Sequence, residues 1–382
     1  MENKLKFKNK KFRIMLVADP HEKNKISDKK DKAVIRDYLN LQYSAIRELK
    51  PDLVILMGDN ATGSTKDELK EVLLRITKPY SDNKIPFAFV LGNHDLECNV
   101  NSLIDQYKIY RQLPCCILPE ENEIDHYGDY NIPVYSSDID SPALNLWFMY
   151  SGNIAEKQYF SYYDHVKTEQ IKWYESKSEQ LRRNFGKVIP AINFQHIPVP
   201  EEFRLLTECS ASKLINDAVT GQTEKKGKFY VLDKTSTYGY MGEAPCTPAY
   251  NNGQFSSWKK TGDVFASFFG HDHMNDFAGY VDGILLGQCK TAGFRPYGDG
   301  LMQGVRIIDI NEDNPENIFT KMVYYRELVG DDCLSISGAE KNLRDRTSVK
   351  IDFIKSAAKI SAPVMIPIIS FAILKKIISK IK

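Results

Sequence analysis

Apolar positions in this chain gather in short blocks. Residues 12–18, 53–57, 87–91, 144–150, 188–194 and 264–269 are nearly continuous apolar runs rich in Val, Ile and Phe, each of strand length and each bounded by polar residues or glycine. Between the first two, Ile35, Leu39, Tyr43, Ile46 and Leu49 recur at spacings of three and four, which predicts a helix over residues 31–50 with one stripe lying on a sheet. Residues 67–76 and 168–183 read as helices too. Strand, helix, strand, helix, strand at the N-terminus implies parallel pairing through right-handed crossovers. A late pair of strands, residues 284–289 and 305–310, is expected to close the sheet, with 319–325 as an edge. Residues 210–262 carry Gly, Lys, Ser, Thr and Tyr without a period, and read as an elaborated connection near the site.

Composition changes this picture only at the ends. With 42% apolar and 26% charged residues, the 382-residue chain is a folded globular protein, neither disordered nor a multi-span membrane protein. The net charge of +1 hides an asymmetry: residues 1–13 hold six Lys or Arg against one Glu, and residues 355–382 hold six Lys without an acid, so the body between carries −10. Such a body offers no broad basic face to phosphate backbones, and no nucleic acid partner is expected. The seven cysteines form no CxxC pair, which argues against a zinc ribbon or a disulfide framework and for reduced thiols in a cytoplasmic protein. The N-terminal basic arm runs into an apolar stretch without a small-residue cleavage site, and reads as a first strand.

Near the C-terminus, fifteen uncharged residues separate Lys359 from Lys375, about 22 Å as a helix against a hydrocarbon core of roughly 30 Å, and Pro363 and Pro367 interrupt them. Residues 371–382 place Phe371, Ile373, Leu374, Ile377, Ile378 and Ile381 opposite five Lys and Ser positions, a basic amphipathic pattern. The expected division is a catalytic domain over 1–325, a charged connector over 326–355 and a tail over 356–382. The tail is expected to meet an anionic membrane surface from the cytoplasmic side, or else to pack on the body or on a second copy.

Five polar windows follow five of the apolar runs: Asp19-Pro20-His21, Gly58-Asp59-Asn60, Gly92-Asn93-His94-Asp95, Gln195-His196 and Gly270-His271-Asp272-His273. Residues just past the C-terminal ends of strands in an open sheet converge on one edge, where ligands bind. Any one window is a weak signal, but five of the seven histidines fall in them. Carboxylates, imidazoles and one amide oxygen suit two divalent or trivalent metal ions, Mn, Fe or Zn. A carboxylate such as Asp59 shared between ions about 3.5–4 Å apart suits phosphoester hydrolysis.

In their order, DPH, GDN, GNHD, QH and GHDH resemble the five motifs of the calcineurin-like metallophosphoesterase superfamily. FQHIPVPE at 194–201, FFGHDHMNDFAG at 268–279 and TAGFRPYGDG at 291–300 resemble its purple-acid-phosphatase-like branch lacking the chromophoric tyrosine. The resemblance covers roughly residues 12–325. It implies a four-layer α/β/β/α sandwich of two mixed sheets flanked by helices. It further implies that Asp19, His21 and His273 bind one ion, that Asn93, His196 and His271 bind the other, that Asp59 bridges them, and that His94 faces the substrate. Thr62 stands where the purple enzymes have their tyrosine and where serine/threonine phosphatases have an Asp that orients the catalytic His, so the partner of His94 is unnamed. Arg295, in a Gly-rich segment, is a candidate phosphate fork because its guanidinium offers bidentate geometry. The function expected is a dinuclear phosphomonoesterase using a hydroxide that bridges the ions, acting on a phosphorylated small molecule or a phosphoprotein. A phosphodiesterase of cyclic nucleotides or phospholipid headgroups is the alternative in chemistry, and a non-catalytic membrane-associated scaffold is the alternative in class.

Overall fold

The N-terminal alternation is present in the computed structural model, which describes residues 4–337 other than 98, 99, 101, 212 and 214–217. Strands Lys11–Val17, Leu53–Met57 and Phe87–Val90 are joined by helices Lys29–Leu49 and Lys66–Asp82. Leu53–Met57 is buried at every position, as an unbroken apolar run requires of a central parallel strand. Both helices start where a side chain satisfies an orphan amide: Asp28 accepts from the Asp31 N–H, and Thr65 from the Glu68 N–H.

These strands belong to a five-stranded mixed sheet ordered Phe319–Tyr324, Gly304–Asn311, Lys11–Val17, Leu53–Met57, Phe87–Val90. A second mixed sheet of eight strands runs Leu5–Lys6, Tyr130–Tyr135, Pro142–Met149, Ala191–Gln195, Val264–Phe269, Ile284–Gln288, Ala278–Val281, Thr237–Tyr238. Ile14, Leu16, Ile55 and Phe89 of the first sheet share one core with Leu146, Phe148, Phe194 and Phe268 of the second, so the sheets pack face to face. The larger sheet's other face carries a second core, where Trp147 and Phe269 meet Tyr174 of helix Thr168–Phe185 and Phe255 and Trp258 of helix Gln254–Thr261. The layers are therefore helix, sheet, sheet, helix, the mixed α/β sandwich expected.

One strand expectation is corrected. The two late strands do not close one sheet: Ile284–Gln288 lies parallel to Val264–Phe269 in the larger sheet, and Gly304–Asn311 lies antiparallel to Lys11–Val17 in the smaller one. The chain crosses between sheets after residue 288, and buried Arg306 ties the crossing by donating to the carbonyls of Gln288 and Asp276. Among the described residues of the connection over 210–262, Val219–Thr220 and Phe229–Leu232 form a small sheet with the preceding strand Leu206–Cys209.

The body also runs past residue 325. The buried Asp37 carboxylate of helix Lys29–Leu49 accepts the N–H groups of Leu334 and Ser335 and the Ser335 hydroxyl, pinning this stretch to the helix. The expected membrane-binding tail, 356–382, lies outside the described residues. Among the described residues no helix is long and apolar enough to cross a membrane.

Candidate metal centre

Five strand ends meet at one edge of the sandwich. Loops after Lys11–Val17, Leu53–Met57 and Phe87–Val90 come from the smaller sheet, and loops after Ala191–Gln195 and Val264–Phe269 from the larger. Main-chain hydrogen bonds stitch them together: Asp19 N–H to Gly58 O at 3.2 Å, His21 N–H to Asp59 O at 2.9 Å and Gly270 N–H to His196 O at 3.2 Å. Asp19, His21, Asp59 and His271 all take left-handed backbone conformations, with φ of 51°, 47°, 51° and 72°. For side chains with a Cβ this costs about 1–3 kcal/mol each, the kind of strain that collects at functional sites. Glycine is obligatory at two neighbouring points. A Cβ on Gly58 would sit 2.5 Å from His196 Nδ1, and one on Gly92 would sit 2.2 Å from Asp59 Oδ1.

The side chains form two triads, Asp19 with His21 and His273, and Asp59 with His196 and His271. Asp59 Oδ2 lies 3.4 Å from His21 Nε2 in the first and 3.2 Å from His196 Nε2 in the second. Asp19 Oδ1 lies 3.4 Å from His273 Nε2. The outer ring nitrogens are held by carbonyls: His196 Nδ1 donates to Met57 O at 2.8 Å, across the two sheets, and His273 Nδ1 donates to Tyr297 O at 3.1 Å. Both rings thereby turn Nε2 inward, as metal-ligating imidazoles are oriented.

Three buried atoms of these triads have no hydrogen-bond partner, Asp19 Oδ1, His196 Nε2 and His271 Nε2, and neither has the buried Oδ1 of Asn93 in the loop after Phe87–Val90. Leaving such groups unsatisfied costs about 1–3 kcal/mol apiece, and they are the donor atoms that hard or borderline cations take. The two triads therefore offer donor sets that fit two metal ions.

Electrostatics agree. Burial presses the carboxyls of Asp19 and Asp59 upward, yet His196 and the neighbouring imidazoles more than reverse it, so both stay below the usual carboxylate range. His196, resisted by burial, is drawn up to about 10 by Asp59 and Asp19, while burial and the His196 charge push His271 down to about 3. Asp95 braces the loops, accepting from the N–H groups of Asn60 at 2.8 Å, Ala61 at 3.1 Å and Gly92 at 2.8 Å.

The sequence model of calcineurin-like phosphoesterases matches residues 12–275. This chain belongs to the calcineurin-like phosphoesterase family. It is similar to probable inactive purple acid phosphatase 29 of Arabidopsis thaliana, at 29% identity over 81% of this chain and 80% of that protein. Probable inactive purple acid phosphatase 14 of the same plant is 30% identical over 68% of this chain and 63% of its own length. Phosphatase DCR2 of Saccharomyces cerevisiae is 27% identical over 77% of this chain and 48% of its own. A solved dimetal phosphatase from Danio rerio aligns with 81% of this chain and 98% of its own, at 12% identity and a TM-score of 0.46. The purple-acid-phosphatase-like branch is thus the chain's place in the calcineurin-like family.

Within that family frame, His94 stands beside the triads and is not part of them. Its backbone N–H donates to Asp59 Oδ1 at 2.8 Å, its ring centroid is 5.3 Å from that of His21, and its side chain is 46% exposed. The partner the sequence left unnamed is Glu97, whose Oε2 lies 2.6 Å from His94 Nδ1. An acid three residues after the histidine was the available signal, but only the turn brings it back to the ring. Thr62 instead pairs with Lys23 in a short two-strand ladder.

Arg295 is placed differently from the expectation. Its Nη1 donates to Asp31 at 2.5 Å and its Nη2 to Glu22 at 3.3 Å, so the two nitrogens of the expected phosphate fork already hold carboxylates. The pairing ties the segment after residue 290 to the start of helix Lys29–Leu49. Two residues that sequence reasoning passed over line the centre instead: the Tyr163 ring meets His271 edge-on at 4.4 Å, and the Tyr297 ring stacks on His273 at 4.3 Å.

Proposed function

We propose that this protein is an active dinuclear phosphomonoesterase. The observation that carries the reading is Asp59 Oδ2 lying 3.4 Å and 3.2 Å from imidazole nitrogens of two separate triads, the position of a carboxylate shared by two cations. Asp19, His21 and His273 would hold one ion, and Asn93, His196 and His271 the other. When bound, two such ions supply Lewis-acid charge and activate water for attack on phosphorus. The chain's own part is to offset that charge with Asp19 and Asp59, to keep the imidazoles aimed by their carbonyl partners, and to present His94 at the mouth as the group that protonates the leaving oxygen. Manganese, iron and zinc all suit the donor set.

Monoesters are favoured over diesters because the relatives carry phosphatase names, and the substrate proposed is a phosphorylated small molecule or a phosphoprotein. The word inactive in the Arabidopsis names favours a second reading, a scaffold that keeps the fold without turnover. Both triads being complete in this chain supports the active one. Metal analysis of the purified protein, with hydrolysis of a panel of mono- and diesters, decides among them. Two bound ions with monoester turnover is the expected result. Two ions without turnover of any ester would leave the scaffold, and preferential diester cleavage would make it a diesterase. The proposed contact of residues 356–382 with anionic membrane is tested by cosedimentation with anionic and neutral vesicles; absence from both pellets would end it.

A further inference from the structure

The turn that carries His94 is built more tightly than a surface turn needs. Glu97 N–H donates to His94 O at 3.2 Å, and the same residue's side chain doubles back to His94 Nδ1 at 2.6 Å. On the other side, the His94 N–H is fixed to Asp59 Oδ1, and the following Asp95 is buried and held by three backbone amides. The backbone of His94 is therefore held to the shared carboxylate, and what is left free is the rotation of its side chain. Glu97 removes that freedom. Both ring nitrogens of a protonated imidazole carry hydrogen, and with the Nδ1 side turned to Glu97 the Nε2–H is the donor left to meet a ligand.

We infer that Glu97 is the positioning residue for His94, holding the ring so that Nε2 delivers a proton to the leaving oxygen of the ester. This rests on the phosphatase reading above. In the step, the oxygen of an attacking water forms the new bond to phosphorus and the bond to the ester oxygen breaks. Nε2 gives its proton to that oxygen, and the alcohol departs. The ring is left neutral with Nδ1–H still on Glu97, and it regains a proton from solvent, which has taken the one released by the water. The acid that the sequence lacks at position 62 is supplied from the turn after the histidine. His–carboxylate pairs with side chains about half exposed contribute little to stability, so the pair is accounted for by orientation and not by folding.

The test uses full-length, metal-loaded protein and the variants Glu97→Ala, Glu97→Gln, His94→Ala and the double alanine. Glu97→Ala is expected to keep both metals and its KM, and to lose about 10- to 10²-fold in kcat on alkyl phosphates. The loss should shrink along a series of aryl phosphates as the leaving alcohol becomes more acidic and needs the proton less. Glu97→Gln, whose side-chain carbonyl still accepts from Nδ1, should recover part of the rate, and the double variant should be no slower than His94→Ala alone. In metal-free protein labelled with 15N-histidine, His94 should show the Nδ1–H tautomer, lost in Glu97→Ala. A wild-type rate in Glu97→Ala, a loss equal for all leaving groups, additive losses in the double variant, or an unchanged His94 spectrum would each overturn the role. Should wild-type protein with two metals hydrolyse no ester, the phosphatase reading itself falls and this role with it; wild-type turnover matched by Glu97→Ala removes only the role of Glu97.

Discussion

Asp59, at the meeting of the strand ends, and Asp129, just before strand Tyr130–Tyr135, are both buried carboxylates, with 2% and 0% of their surface exposed. Their company differs. Asp129 receives only neutral donors, the Tyr150 N–H at 2.8 Å and the Gln170 amide at 3.0 Å, so burial prevails and its pKa is pushed up to about 8. Asp59 is pressed upward by the same burial, but His196, His21 and His94 surround it and hold it ionised. Asp95, a hydrogen-bond brace two residues from Asn93, sits between the extremes: burial and the Asp59 charge raise it to about 7. The difference shows what marks a site. A buried acid that burial holds neutral despite its amide donors is architecture, whereas a buried acid kept charged by surrounding imidazoles has the makings of a cation site.

Replacing the charge at Asp59 is the largest way to break this contrast. Asp59→Asn should lower kcat by several powers of ten and reduce bound metal below two ions, because a neutral amide can no longer offset both. Metal analysis beside activity checks it; two ions with near-normal rates would remove Asp59 as the shared ligand. A subtler break leaves the carboxylate and moves it. Gly92→Ala places a methyl 2.2 Å from Asp59 Oδ1, so the carboxylate or the Gly92 loop must shift, and a loss of about 10²-fold in kcat with a folded circular-dichroism spectrum is expected.

Chelation probes the same edge without mutation. Removing metal leaves the four unpartnered atoms of Asp19, Asn93, His196 and His271 uncompensated, so the melting temperature should fall by several degrees, as loss of a tight ligand predicts. Identical melting curves with and without chelator would show that these atoms bind nothing. The smallest effect sharpens the other half of the comparison. With its pKa raised from 3.8 to about 8, Asp129 contributes its stability in full below about pH 4 and loses it as pH rises through 8. Asp129→Asn should flatten this slope, which for one group is up to about 1.4 kcal/mol per pH unit, and leave kcat unchanged. Denaturant titrations at pH 5 and pH 8 measure it; equal pH slopes in the two proteins would mean Asp129 is ionised after all.

What the sequence made legible follows from these same forces. Leu53–Met57 is buried throughout and so reads as an unbroken apolar run, and the windows after such runs announce Asp19, Asp59, Asn93, His196 and His271. Tyr130–Tyr135 escaped notice because Pro133 interrupts it and four of its six positions are partly exposed, so it shows neither a run nor a clean alternation. Helix Gln254–Thr261 is only eight residues between two glycines in left-handed conformation, too short for a period to declare itself. Sheet membership was illegible for Gly304–Asn311, since strand pattern carries no record of its neighbour. Arg295 shows the limit most plainly. Its chemistry suits phosphate and carboxylate alike, and the choice is made by Asp31 and Glu22, more than 260 positions away in sequence.

The hydrogen bond from His196 to the Met57 carbonyl spans the two sheets, and both triads draw on both. During synthesis the chain emerges with Asp19 first and His273 last, so a ribosome-bound fragment that has folded only strands Lys11–Val17, Leu53–Met57 and Phe87–Val90 holds four of the seven proposed ligands, Asp19, His21, Asp59 and Asn93, and completes neither set. Metal loading would then be the closing event of assembly, since each proposed ion site needs both halves of the sandwich docked in register. A nascent chain stalled before residue 264 should retain no metal on gel filtration in free-metal buffer, and uptake should appear abruptly once the last two ligands are clear of the exit tunnel.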